Sequence, residues 1–289
     1  MEKNVHLKII SELGNIDALP TIPQVVLRLN GVLADPNSSA RDVAKLLGED
    51  QVITTRILKL VNSAFYGYAR QVKTLTQAVV ILGFREVKNI VLTSQIFDLF
   101  KSSHKNIRDL FDINQLWTHS VGCAVIAKNI GERIRYLEPE ALFIAGLIHD
   151  IGKVVEINCI PDKMPDVFRT VQEENISMIE AEKKVLEVTH CEIGKVMAEM
   201  WDFPQLIEYV VAYHHKPSLS RKFEQEVAIV HVANCMVRML EIGSGGDSLI
   251  PQIDPFSWER IGLDQDAHEE ILTHSLEAIS ELLPVFQMS

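Results

Sequence analysis

Four stations along this chain have residue types and spacing suited to chemistry: His119, the adjacent His149-Asp150, His190, and the pair His214-His215, with Lys153 and Asn234 as further polar candidates. A neutral imidazole nitrogen and a carboxylate oxygen suit a divalent cation, and burying them is costly unless something charged compensates. His149 and Asp150 close the apolar run Ala141-Leu142-Phe143-Ile144-Ala145-Gly146-Leu147-Ile148, so both are expected to face the interior. Gly152 then relaxes the backbone, and Lys153 brings a cation close by. The plainer reading is a buried histidine donating to a carbonyl, with Asp150 capping the next turn. Each of the other histidines, taken alone, reads equally well as a satisfied core or surface residue. Their order carries more: a helical histidine, thirty residues, a His-Asp doublet, then a later His and a His pair.

The elements that must position these residues are helices. Almost every segment repeats its apolar residues with a 3.6-residue period, and alternating runs are scarce. Helices are expected over Val5–Ile16, from Pro23 to Leu33, from Ser39 to a stop at Gly48, and from Asp50 to Asn62. Another starts at Thr74, breaks at Leu82-Gly83 and resumes over Arg85–Phe100. In the second half they run over Asn114–Gly131, from Pro139 into the HDIGK segment, from Pro204 to Tyr213 and over Glu226–Leu240. Ser177 with Glu180 and Thr189 with Glu192 are capping boxes that start two more. Gly243-Ser244-Gly245-Gly246 reads as a flexible loop, and a last helix covers Asp266–Leu283. The expected division is an N-terminal helical lobe over 1–105, a second helical core over 106–240 carrying the candidate pocket, and a loop with a C-terminal helix over 241–289.

Composition excludes several classes. A net charge of -11 argues against a general affinity for nucleic acid or anionic membrane, which needs a dominant basic face. Ser39 to Val61, with Arg56 and Lys59 on its second helix, could pass for a helix-turn-helix, but Glu49 and Asp50 favour an ordinary helical hairpin. No apolar stretch approaches a spanning helix, and the N-terminus has no signal-peptide core. Cys123, Cys159, Cys191 and Cys235 are scattered without a CxxC pair, which points to reduced thiols and a cytoplasmic location.

The histidine order resembles the HD superfamily, whose metal phosphohydrolases carry H…HD…D on a helical core. His119 matches the first ligand and His149-Asp150 the doublet. His190 with His214-His215 is similar to the additional ligands of the HD-GYP branch, which cleaves cyclic di-GMP. Two departures stand out. Asn234 occupies the place of the family's final aspartate, and Lys216-Pro217-Ser218 follows the His pair without the Gly-Tyr-Pro signature. In the first half, Leu19-Pro20-Thr21-Ile22-Pro23, Leu58 to Gly67 and Ala78 to Gly83 resemble the hallmarks of the HDOD domain.

That resemblance implies an all-α bacterial signalling or regulatory output module, non-catalytic, binding a partner protein or a small ligand such as a nucleotide. It implies a metal at His119, His149, Asp150 and Asn234, with His190, His214 and His215 lining the same pocket. Iron, manganese or zinc suit such mixed ligands better than magnesium or calcium. Lys153 is the candidate phosphate contact. The alternative is an active metal-dependent phosphohydrolase or phosphodiesterase acting on a nucleotide.

Overall fold

A computed structural model describes residues 24–63, 70–100, 107, 109–263 and 265–287. The expected helix over 5–16, the hallmark residues 19–23 and 64–67, and the boundary placed near 105 lie outside them. Among the described residues there is no strand, so the chain is all-α. No described helix is long and apolar enough to cross a membrane.

The chain forms two compact units. The smaller holds α1 (Gln24–Ala34), α2 (Ala40–Leu47), α3 (Gln51–Val61) and α4 (Leu75–Phe100) as far as Asp98. It also holds the end of the last helix, α14 (Gln265–Gln287), from Leu276. Its helices start where the sequence says they should. Ser39 and Asp42 form the reciprocal capping box of α2, and Asp50 accepts from the backbone N–H groups of Val52 and Ile53 to start α3. Gly83, at φ 78°, interrupts α4 at the expected break. Asn62 ends α3 and ties it to the segment beyond. Its Oδ1 accepts from the Val72 N–H at 2.7 Å and its Nδ2 donates to the Val72 carbonyl at 2.8 Å. The interior is aliphatic, with Leu29, Val43, Leu47, Ile53, Ile57 and Val79 excluded from water. Arg56 is buried too, at 3% exposure, so it is not on a face that could meet DNA phosphates.

The larger unit, Leu99–Ser275 in its described part, holds α5 (Ile113–Arg133), α6 (Pro139–Ile148), α7 (Ile151–Cys159), α8 (Met164–Glu174) and α9 (Met178–Val185). It continues with α10 (His190–Met200), α11 (Gln205–Tyr213), α12 (Glu224–Met239) and α13 (Pro255–Ile261). At its centre α5, α6 and α12 pack on one another, and α10 bridges α7 and α11. α6 is apolar on every face, as a helix surrounded by others should be. Both later capping boxes form, at Ser177/Glu180 and Thr189/Glu192.

Two glycines let these helices come close enough to share one pocket. A Cβ on Gly146 would lie 2.9–3.0 Å from the Ala124 backbone, so α6 can lean on α5 only without a side chain there. At Gly152 a Cβ would sit 1.9 Å from the His190 carbonyl oxygen. The sequence reading of Gly152 as a relaxed backbone point is therefore corrected: it lies inside the first turn of α7, and its missing side chain lets α10 approach.

Candidate metal centre

His149 and Asp150 form the joint between α6 and α7, as C-cap of one and N-cap of the next. The chain leaves the helix there, with Asp150 at φ -100° and ψ 17°, and both side chains enter the crevice among α5, α10 and α11. Asp150 does not cap α7 with its side chain. Its carboxylate, 1% exposed, is turned into the crevice instead.

Around that carboxylate the structure assembles residues from four stations of the sequence. On the Oδ2 side stand His149 Nε2 at 3.4 Å, His119 Nε2 at 3.6 Å and Lys153 Nζ at 2.7 Å. Facing Oδ1 are His190 Nε2 and His214 Nε2, each at 3.4 Å. His215 joins through His190, with the two Nε2 atoms 3.1 Å apart. His119, His149, His190 and His214 are wholly buried.

The far nitrogen of three of these rings is already committed. His149 Nδ1 donates to the Gly146 carbonyl at 2.6 Å, and His214 Nδ1 lies 3.1 Å from the Val211 carbonyl. His190 Nδ1 meets the Glu182 carboxyl at 2.7 Å. Such a partner fixes the tautomer and turns the Nε2 lone pair toward the other side, as at metal-binding histidines generally. Both nitrogens of His119, Nε2 of His149 and of His214, and Oδ1 of Asp150 are buried without a hydrogen-bond partner. Native interiors seldom leave so many polar atoms unsatisfied in one place, unless an ion or water belongs there. The donors fit a divalent cation in two sets: His119, His149 and Asp150, and His190, Cys191, His214 and His215.

Charge in the crevice follows its geometry. Burial pushes the Asp150 carboxyl up, but Lys153 and His149 outweigh it and hold it well below the usual carboxylate range. Burial opposes a charged His149, yet Asp150 and Cys123 overcome this and lift it to about 10, so a cation binding at Nε2 must displace a proton there. Burial carries His214 down to about 3 against the pull of Asp150, and lowers His119 and His215 as well. Glu156, fully buried in the apolar Val154–Ile157 run, is driven well above its usual value by burial and by Glu182.

Lys153, the candidate phosphate contact, is held inside the crevice. It is 4% exposed, and its ammonium donates to Asp150 and, at 2.8 Å, to the Gly245 carbonyl. The glycine-rich run 243–246, expected as a flexible loop, is a strap pinned together with Asp247. Its Ser244 N–H donates to the Gln115 carbonyl at 3.0 Å, and Asp247 accepts from the Met178 N–H at 2.9 Å and from the Arg238 guanidinium. A cavity of about 630 Å³ is lined by strap residues with Phe111, Gln115 and Arg238, and none of the clustered histidines lines it.

Asn234 is buried on α12, but its amide makes no hydrogen bond among the described residues, so it is not joined to the Asp150 cluster by one. His231, one turn before it, is fully used elsewhere. Sequence reasoning missed Glu182, Glu156 and Cys191. A signal for the carboxyl groups was present: each is a charge on the apolar face of a short amphipathic helix.

The family model for the HDOD domain matches residues 19–217. The chain belongs to the HDOD domain family. An HDOD domain protein of unknown function from Geobacter sulfurreducens has a solved structure with a TM-score of 0.80 and 31% identity, covering 98% of this chain and 97% of that one. A Shewanella amazonensis protein, provisionally described as a phosphohydrolase, superposes with a TM-score of 0.73 at 20% identity, over 97% of each chain. One from Marinobacter aquaeolei, provisionally described as a signal transduction protein, does so at 0.72 and 18%, covering 99% of this chain and 66% of that one. These two share the fold. An uncharacterized protein of Treponema pallidum (strain Nichols) is 25% identical over 227 residues, or 78% of this HDOD chain. The match spans 43% of that relative's length.

Proposed function

We propose that this HDOD protein is a regulatory module that holds a divalent metal in its HD pocket and acts through a partner protein or small ligand, not through hydrolysis. The observation that carries this reading is the burial of Asp150 and four histidines around unsatisfied Nε2 atoms, beneath a pinned strap. A bare ion fits such a site, whereas a nucleotide needs open space beside it. The ion's chemistry, when bound, is Lewis acidity. The chain's residues orient the donors: Glu182 and the Gly146 and Val211 carbonyls set the rings, and Lys153 balances Asp150. Iron, manganese or zinc suits these ligands.

A second reading, a metal phosphohydrolase, draws support from the way the two oxygens of Asp150 face different sets of histidines. Two-ion hydrolases clamp a phosphate with such an arrangement. One experiment separates the two: elemental analysis of protein purified without chelator, with hydrolysis of cyclic di-GMP and a generic bis-phosphodiester by the same sample. Bound metal with no turnover is expected. Asn234→Asp, which adds a carboxylate in the place of the family's final aspartate, should tighten metal binding without creating an efficient enzyme, since positioning of substrate is itself worth several kcal/mol of barrier. Robust turnover abolished by His149→Ala would overturn the regulatory reading, and protein without metal after growth in supplemented medium would overturn the metal.

A further inference from the structure

The second donor set contains a residue that neither the histidine order nor the family resemblance singles out. Cys191 follows His190 in the first turn of α10, is 6% exposed, and offers its Sγ within 4.8 Å of the ligand atoms of His190, His214 and His215. No hydrogen bond occupies the thiol among the described residues. Beside it the Nε2 of His214, wholly buried, has no hydrogen-bond partner either. Glu182 holds the opposite nitrogen of His190, so that ring too presents Nε2 to the set.

We propose that Cys191 is a thiolate ligand, completing with His190, His214 and His215 a closed four-donor site for a borderline-soft cation such as zinc, cobalt(II) or iron(II). The inference rests on the reading that the pocket holds metal. Bond lengths of about 2.0–2.1 Å to imidazole and 2.3 Å to thiolate put tetrahedral donors about 3.3–3.6 Å apart. The His190–His215 separation of 3.1 Å lies just below that range, and the remaining donors, all within 4.8 Å of one another, are drawn toward it when a cation binds. On binding, the sulfur–hydrogen bond breaks, a sulfur–metal bond forms with the sulfur's electron pair, and the proton leaves to solvent. A coordinating thiol is deprotonated outright, so burial of the thiol does not prevent this. The His119–His149–Asp150 set, with nitrogen and oxygen donors only, is the harder half of the pocket. Four protein ligands also leave no open position for a reacting molecule, which is the pattern of structural sites.

The test is titration of the stripped full-length protein with cobalt(II), read by absorption and by total bound metal. A thiolate-to-cobalt charge-transfer band in the near ultraviolet is expected in the unmodified protein. It should vanish in Cys191→Ser and in His215→Ala, and persist in His119→Ala and in Cys123→Ser. Affinity for the cobalt that gives the band should fall at least about tenfold in Cys191→Ser, with helical circular dichroism unchanged. If Cys191→Ser does not fold, loss of the band in His215→Ala with retention in Cys123→Ser carries the assignment, and retention of the band in His215→Ala overturns it. Cobalt binding without a charge-transfer band, or a band that survives Cys191→Ser, overturns the thiolate ligand and leaves the metal reading standing. Absence of any bound cobalt, manganese, iron or zinc overturns both.

Discussion

Two places in the larger unit bury histidine, and they solve the problem in opposite ways. On α12, His231 donates from Nδ1 to the His214 carbonyl at 2.7 Å and accepts at Nε2 from the Asp254 N–H at 2.9 Å. Both ring nitrogens are used, and the ring pins the end of α11 to the start of α13. Around Asp150, by contrast, the rings of His149, His190 and His214 have one nitrogen anchored and the other left facing its neighbours. Unpaired polar atoms cost roughly 1–3 kcal/mol each, so the second arrangement is destabilising unless a cation meets it. Burial alone thus says little about a histidine; the partner of its second nitrogen separates a structural ring from a ligand.

Asp150→Ala tests that contrast most severely. It leaves the Lys153 ammonium buried without its carboxylate, which should destabilise the protein by about 3–5 kcal/mol. Adding Lys153→Met should restore most of that loss, and urea denaturation of the single and double variants would measure it. Full destabilisation persisting in the double variant would mean that Lys153 is not the charge at issue.

Metal removal comes next in size. Reloading stripped protein at a hundredfold excess over Kd should stabilise it by about 2.7 kcal/mol, seen as a rise in Tm. His149→Ala should diminish the rise, since the His190, Cys191, His214 and His215 set keeps its donors, and His231→Leu should keep it whole. A rise undiminished in His149→Ala would take the ion out of the His119, His149 and Asp150 set.

The structural histidine should show the complementary behaviour. His231→Leu orphans the His214 carbonyl and the Asp254 N–H, for a loss of about 1–3 kcal/mol in denaturant with unchanged metal content. Metal lost along with stability would erase the distinction between the two places.

The smallest effect is on pH. Burial lowers the His231 pKa, partly offset by its bond to the His214 carbonyl and by Asp254, while Cys235 is its other close neighbour. The folded protein therefore takes up this proton less readily than the unfolded chain, whose histidine titrates near the ordinary value of about 6.5. The ring's contribution is complete above that value and is lost as pH falls through the lowered one. Stability curves of the unmodified protein and His231→Leu should converge on acidification, by about 1 kcal/mol or less per pH unit. Parallel curves would show that the ring titrates alike in both states.

Much of this was legible in the chain. Ser39, Ser177 and Thr189, each three residues before an acid, begin helices because capping is a local matter of backbone N–H groups and nearby side chains. Gly83 breaks α4 where the sequence marks it. The histidine order pointed to a metal through its resemblance to the HD superfamily, with residue types whose chemistry suits a cation. The sequence misjudged Gly152 and the 243–246 run for one reason: each is defined by a partner far away in the chain. A glycine looks like a hinge until another helix's carbonyl fills the space beside it. A Gly-Ser-Gly-Gly run looks loose until Gln115, Met178 and Arg238 hold it.

By itself, then, the amino-acid order determined most of the helices, their capped starts, the break at Gly83 and which side chains could ligate, but not the helices Met164–Glu174 and Pro255–Ile261, since these readings depend on periodicity, capping and intrinsic chemistry within a few residues. Only the tertiary structure decided that Cys191 and Glu182 join the histidines, that His231 does not, and that Asp150 is buried among them. Those outcomes depend on which helices touch and how closely, and that is set by packing among residues up to about a hundred positions apart.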